Sequence, residues 1–418
     1  MTDNRHDVLI VGAGVIGLAC AWSLLRAGRQ VTVVDARHVA AGASHGNCGT
    51  ITPSHAPPLP MPGMPMQVLR WMLRKDAPFH VSPRWDPALY GWMMRALRRC
   101  NRQDFEQTAV IRAELLKASR ELLAQWVERD RLDCEFEQTG TIYAFIDKAG
   151  FDGYRWHQQM LAGLDIECRR LDGDALRSLE PALNDRAVGG YLHPGDAHLR
   201  PERYTAELAR CVRAAGGSIV EGTQVASLLR ANGRVGGIVL EDGRSWRAES
   251  VLLAAGSWSP ELVQPLDLRL PVQPGKGYSI TYERPALAPA IPLVLKERSV
   301  CVTAWSSGFR LGSTMEFAGY DSSLNSVRLG ALTRAAHEYL REPEGPVQRE
   351  QWCGWRPMTP DDLPVIGPVS RHPGLWIATG HGMLGVTLSA VTGELVAAQM
   401  TGRVPPWNAR PLSPDRFN

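Results

Sequence analysis

The sequence predicts an α/β fold in two parts: a doubly wound domain on a parallel sheet, and a second α+β domain built on a mixed or antiparallel sheet. Three observations predict it. A glycine-spaced turn at residues 12–17 separates an apolar strand pattern from a helical one, an acid ends the next strand pattern, and residues 218–253 carry several short strand patterns punctuated by turn residues.

Residues 7–14 read as a strand, 15–27 as a helix closed by Gly28, and 31–35 as a second strand, which together make a β-α-β unit. The small residues of 43–51 follow, and then a Pro-rich stretch, 53–65, that cannot sustain a helix or an interior strand and is expected as a long loop. Residues 66–128 turn helical, with Leu69, Trp71, Met72 and Leu73, then Leu89, Trp92, Met93 and Leu97, interleaved with Arg. A helical layer packed on a sheet is the first reading of this Trp/Arg pattern, and a face that touches a membrane surface is the second.

Residues 139–146 and 189–192 read as strands, and 201–214 as a helix with Pro at its first position and Gly216-Gly217 at its end. Residues 218–220, 224–229, 235–240 and 245–253 look like a β-meander with Asn232-Gly233 and Asp242-Gly243 as hairpin turns. A strand at 277–282, a helix at 325–340 and a helix at 387–400 complete the pattern. The expected division is 1–80, 197–265 and 350–418 for the first domain, with 81–196 and 266–349 for the second.

The 418 residues are enough for two to three domains, and 44% hydrophobic with 21% charged residues exclude a disordered chain or a rod. A net charge of +3 offers no field for nucleic acid, so no nucleic-acid partner is expected. The eight Cys include no C-x-x-C pair, so neither a metal site nor a disulfide framework is expected, and reduced thiols in a cytoplasmic protein fit best. The N-terminus reads as neither a signal peptide nor a membrane span.

Gly12-Ala13-Gly14-Val15-Ile16-Gly17 matches a Rossmann-like dinucleotide fingerprint, with Asp35, followed by Ala36 and Arg37, in the place of the ribose-binding acid. The glycines allow the tight turn and close approach of a pyrophosphate, and the helix N-terminus offers N–H donors. The motif does not separate NAD from FAD. The polar turn Ala43-Ser44-His45-Gly46-Asn47-Cys48-Gly49-Thr50, where a nicotinamide enzyme would continue with β-α units, favours a flavin. Ala254-Ala255-Gly256-Ser257-Trp258 ends another strand, and Gly380-His381-Gly382-Met383-Leu384-Gly385 precedes the last helix, whose N-terminus would face the electron-rich edge of a reduced ring.

These motifs, with Lys276-Gly277-Tyr278-Ser279 and Gly354-Trp355-Arg356-Pro357-Met358-Thr359-Pro360-Asp361, recur in one order from about residue 6 to residue 400. In that order the chain resembles the FAD-dependent D-amino-acid oxidase superfamily, and within it the bacterial D-amino-acid dehydrogenases of the small-subunit type. The resemblance implies an FAD-binding Rossmann-like domain beside a substrate domain. It implies oxidation of the Cα–N bond of a D-amino acid by hydride transfer to flavin N5, with electrons passed to a quinone or another acceptor. Ser44, Asn47, Val225, Gly256, Gly382 and Thr387 match family positions near FAD. Arg356 matches the arginine that pairs with the substrate carboxylate, where a planar fork supplies bidentate geometry. Tyr278 and His55 are candidates to contact the amine or side chain, as is Lys276, and no catalytic triad is expected.

Two departures from the family pattern stand out. Cys353 lies one residue out of register with the cysteine that attaches flavin in related sarcosine oxidases, so non-covalent FAD is expected. His45 and Cys48 differ from the general D-amino-acid dehydrogenase pattern, which suggests a D-imino acid such as D-proline or 4-hydroxy-D-proline as a specialised substrate. Two alternatives remain open: a glycine- or sarcosine-type oxidase using O2, and a flavoprotein subunit that chiefly docks on a larger complex. A cytoplasmic location, with peripheral contact to the cytoplasmic face of the inner membrane as the second reading, completes the expectations; the sequence leaves the oligomeric state open.

Overall fold

The structure, a computed structural model, describes residues 5–66, 68, 79–82 and 84–418. Its first sheet runs β10 (Val225–Ala231), β11 (Arg234–Leu240), β12 (Ser245–Leu253), β1 (Arg5–Val11), β2 (Val31–Val34) and β9 (Ser218–Val220). β19 (Leu375–Thr379) pairs with β12, and β18 (Val365–Pro368) pairs antiparallel with β19. Thus β19, β12, β1, β2 and β9 form a parallel core. Strands buried on both faces read as unbroken apolar runs, and Val8, Leu9 and Ile10 are fully buried.

Helices cover one face of this core: α1 (Val15–Arg26), α3 (Arg102–Asp130), α4 (Pro201–Ala214) and α6 (Ser389–Met400), with α1 packed on α4 and α6, and α3 packed on α6. The approach of α1 and α6 is close enough that a Cβ on Gly393 would lie 2.6 Å from the Ala19 carbonyl oxygen. Residues of β10 and β11 and residues 263–272 pack on the other face.

The second sheet runs β17 (Gln348–Met358), β13 (Gln273–Tyr282), β16 (Gly308–Phe317), β15 (Val300–Trp305), β14 (Leu293–Leu295), β5 (Thr141–Phe145), β7 (Gly189–His193) and β6 (Arg169–Asp172), with β4 (Phe79–Val81) beside β16. It is mixed: β14 is parallel to β5 and β4 to β16, while the other pairs are antiparallel. Helix α5 (Ser326–Tyr339) packs on it, and α2 (Pro87–Arg99) buries Leu89 and Trp92 against Phe317 and Met358. β3 (Thr50–Ile51) and β8 (Ala197–His198) pair separately.

Several expectations change. The strand at 218–220 leaves the meander and pairs parallel with β2, because partner choice is a long-range matter. The loop at 53–65 opens with a 3-10 turn, Pro53–His55, which tolerates Pro at its start. The helical stretch at 66–128 contains β4, and Leu69, Trp71, Met72 and Leu73 lie outside the described residues. β17 belongs to the second sheet, although the division expected from the sequence places 350–358 with the first, and α3, from within 81–196, packs on α6 over the first sheet. The last helix begins at Ser389 rather than at Thr387.

Candidate functional site

A cavity of about 630 Å3 opens where the carboxyl ends of β1, β2 and β12 face the second sheet. That is the expected place for a ligand in an open α/β sheet. Gly12, with φ 113°, is required at its base: a Cβ there would lie 2.4 Å from the Ala254 carbonyl oxygen. A Cβ on Gly17 would lie 1.9 Å from the Gly12 carbonyl oxygen, so Gly17 packs helix on strand and does not line the cavity. Gly14, Val15 and Ile16 do line it, at the start of α1, where first-turn N–H groups have no partner within the helix.

Asp35, Ala36 and Arg37 lie on the rim. The Asp35 carboxylate accepts from the Ala13 N–H at 2.7 Å and from the Arg37 N–H at 2.8 Å, which fixes its position and leaves lone pairs for a diol. Ser44 Oγ accepts from the Val15 N–H at 2.9 Å. Asn47 builds the 43–49 turn from inside: its Oδ1 accepts from the Gly49 N–H, and its Nδ2 donates to the carbonyls of Ala43 and Ser44. Ala43, Cys48, Gly49 and Thr50 line the cavity beside it.

Arg310 holds this turn against the second sheet. Its guanidinium donates to the Asn47 carbonyl at 2.8 Å and to Glu202 at 3.0 Å, and its Nε donates to Thr281. Opposite, Val225, Ala255, Gly256 and Trp258 close the wall. Trp258 stacks on Tyr320, with centroids 5.4 Å apart, and meets Trp355 edge-on. His381, Gly382, Met383 and Gly385 line the far end, whereas Gly380, Leu384 and Thr387 do not. The Gly382 N–H is taken by the Pro357 carbonyl, so that it is not a free donor to a ring; no hydrogen bond among the described residues engages the N–H groups of Met383 and Gly385. Thr387 instead donates to the Thr50 carbonyl. Burial pushes the His381 imidazole down to about 3, so it is neutral.

The three candidate substrate contacts, Arg356, Tyr278 and His55, all face the cavity. Arg356 donates to the Thr314 carbonyl at 2.8 Å and has no carboxylate partner among the described residues. Burial pushes its pKa down and the neighbouring Cys48 and Cys301 thiols oppose that, yet a guanidinium remains charged. Tyr278 donates to Glu316 at 2.6 Å, so its ring, rather than a free hydroxyl, meets the cavity. His55 Nδ1 lies 2.9 Å from Thr52 Oγ1, and burial with the charges of Lys296 and Arg112 pushes its pKa down to about 3. Lys276 turns away from the cavity to the Ser323 carbonyl and Asp321. Cys353 also lies off the cavity, with Sγ against the Ser322 carbonyl.

Sequence reasoning missed Trp352, Tyr320, Cys301, Gly312 and Ser313, which line the cavity from or near the second sheet. Trp352 packs so closely on Gly46 that a Cβ there would lie 2.2 Å from its ring. The one available signal was the strand pattern, and that leaves open which face a residue presents.

A glycine cradle at a helix start, a fixed acid and a long cleft that reaches an arginine with no carboxylate partner among the described residues fit a dinucleotide-dependent oxidoreductase site. The chain belongs to the DAO family, described as FAD dependent oxidoreductase, whose model matches residues 7–399. It is 35% identical to a D-amino acid dehydrogenase of Paramagnetospirillum magneticum over 98% of each chain. It is 32% identical to one of Agrobacterium fabrum over 98% of this chain and 99% of that one. Among solved structures it resembles glycine oxidase from Geobacillus kaustophilus, with TM-score 0.79, 23% identity and 98% of each chain covered. It also resembles L-proline dehydrogenase from P. horikoshii, with TM-score 0.76, 17% identity, 99% of this chain and 98% of that one. The cradle at Gly12 and Gly14, the Asp35 carboxylate and the free N–H groups of Met383 and Gly385 fit FAD.

Proposed function

We propose that this FAD-dependent oxidoreductase oxidises the Cα–N bond of D-amino acids, with a D-imino acid such as D-proline or 4-hydroxy-D-proline as specialised substrate. The observation that carries this reading is Arg356, a guanidinium on the cavity wall with no acid to neutralise it among the described residues. Such a group selects a carboxylate and fixes its orientation.

When bound, FAD supplies the ring that accepts the hydride; the chain supplies position. Gly12, Gly14, Val15, Ile16, Asp35 and Ser44 would hold the dinucleotide, and Arg356 the substrate carboxylate. Neutral His55 and the ring of Tyr278 would surround the substrate, and Trp352 and Trp355 would exclude water. Cys353 lies off the cavity, which supports FAD bound without a covalent link. The division into an FAD domain and a substrate domain follows the two sheets, with β17 carrying Arg356 on the substrate side.

For the acceptor, a quinone or another non-O2 species is our reading. On α2, Tyr90, Met94 and Leu97 form an exposed stripe beside Arg95, Arg98 and Arg99, and Trp85 before it is 87% exposed. This is the composition of a face that rests on an anionic lipid surface. No helix among the described residues is long and apolar enough to cross a membrane. Cytoplasmic location with peripheral contact at the inner membrane agrees with this face. Turnover of D-substrates with a quinone analogue, without peroxide in aerated buffer, is the expected result; stoichiometric peroxide would replace the dehydrogenase reading with an oxidase. Activity of the purified chain alone with that acceptor would exclude a mainly docking role.

A further inference from the structure

Cys48 and Cys301 reach the same few ångströms of the cavity wall from opposite sides. Cys48 lies on the 43–49 turn of the first domain, and Cys301 on β15 of the second sheet. Cys48 Sγ lies 4.0 Å from the Cys301 carbonyl oxygen. It sits over Gly312, where a Cβ would come within 2.6 Å of the sulfur, and Gly312 is the residue directly across from Cys301 in the β15–β16 pairing. The absence of a side chain at 312 therefore makes room for the Cys48 sulfur directly beside Cys301.

The electrostatics of the pair are unequal. The contact with Cys48, with the charges of Arg356 and Lys296, holds the Cys301 thiol below its usual range against the opposing effect of burial, whereas the same contact and then burial push Cys48 up. Cys301 is thus the more readily deprotonated of the two, and a thiol held down by neighbouring cations is the kind that reacts rather than stays inert. Cys20, Cys134 and Cys211 are buried, and burial raises each of them.

We propose that Cys48 and Cys301 form a reversible dithiol–disulfide site that closes by exchange with a low-molecular-weight disulfide. The Cys301 thiolate attacks one sulfur of the small disulfide and expels its first thiol. Cys48 then gives up its proton and attacks the mixed disulfide at Cys301, expelling the second. The protein pair is oxidised and the small disulfide is reduced to one thiol, which carries off the Cys48 proton, and one thiolate, which takes up the solvent proton that Cys301 had released. The new bond ties the turn carrying Ser44 and Asn47 to the substrate sheet across the stretch of cavity wall that Cys48 and Cys301 share with Arg356, so oxidation would hinder substrate entry. That consequence rests on the substrate reading above; the bond itself does not.

The test uses the reduced holoprotein, incubated with oxidised glutathione and mapped by peptide mass without reduction. A Cys48–Cys301 linked peptide pair that dithiothreitol dissolves is expected, with a rise in KM for the D-substrate on the order of tenfold in the oxidised form. Cys48→Ser and Cys301→Ser should each abolish the linked pair. Gly312→Ala, which crowds the Cys48 sulfur, should reduce its yield. Both thiols free after oxidation, or glutathione retained on Cys301 with no link to Cys48, would overturn the proposal. If the linked pair forms in a protein whose flavin no D-substrate reduces, the site stands and the substrate reading fails.

Discussion

The guanidinium of Arg356 occupies the place where a side chain on Gly277 would begin, so that a Cβ on Gly277 would sit 2.2 Å from Nη1 and 2.5 Å from Cζ. The two residues are on paired strands, β17 and β13, with Gly275 opposite Arg356 and Gly277 opposite Gly354. Glycine at 277 is therefore part of how the arginine is aimed. Gly277→Ala should displace the fork and raise KM for the D-substrate without loss of flavin. Steady-state kinetics beside a flavin-to-protein absorbance ratio checks this.

Removing the fork itself is harsher. Arg356→Ala should cost about 2 to 4 kcal/mol of substrate binding, or roughly 30- to 1000-fold in KM, because a buried carboxylate would be left unpaired. Flavin content should stay at the wild-type level. Unchanged KM would remove Arg356 from the substrate site.

Asp35 concerns the cofactor. Its carboxylate is pinned by two backbone N–H groups at the rim of the cavity. Asp35→Ala should lower flavin retention on gel filtration, and a fully flavinated variant would contradict the ribose role. In the wild type, denaturation followed by ultrafiltration should release yellow flavin into the filtrate.

The loop at 53–59 is clamped by one buried ion pair. Arg112 binds Asp362 at 2.5 Å and donates to the carbonyls of His55 and Ala56, while Asp362 accepts from the Leu59 N–H at 2.9 Å. Arg112→Met would strand the Asp362 charge, with an expected loss of about 3 to 5 kcal/mol in urea unfolding. His55 would lose its position as well, so KM should rise.

Asp196 gives a pH signature. Burial raises its pKa to about 7, with Ser54 Oγ donating to it at 2.6 Å. The folded state thus holds a proton that the unfolded chain releases near pH 4. Its contribution is complete below pH 4 and is lost as pH rises to about 7, for a total of about 4 kcal/mol. Asp196→Asn should remove this fall, seen as a flatter dependence of unfolding free energy on pH between 4 and 7 than in the wild type.

What the sequence discloses depends on how local the controlling physics is. Helix α4 is legible to the residue because Pro201 starts it and Gly216-Gly217 ends it, and the Asn232-Gly233 turn is legible because both residues take positive φ. The partner of β9 is not legible, since parallel pairing with β2 depends on residues some 180 positions away. In the site, the turn motifs near Gly12 and Asn47 are readable from glycine spacing. Trp352, Tyr320 and Cys301 are not, because strand register and sheet packing decide which of their faces meets the cavity. Tyr278 shows the same limit: its place at the cavity is readable, but its hydroxyl is committed to Glu316.

The most direct test of the central claim is the absorption spectrum of the purified holoprotein, mixed anaerobically with D-alanine, D-proline, 4-hydroxy-D-proline and their L counterparts. The account predicts bleaching of a bound flavin by D forms only, fastest with a cyclic imino acid. Bleaching by L forms, or a flavin that none of these substrates reduces, would contradict it.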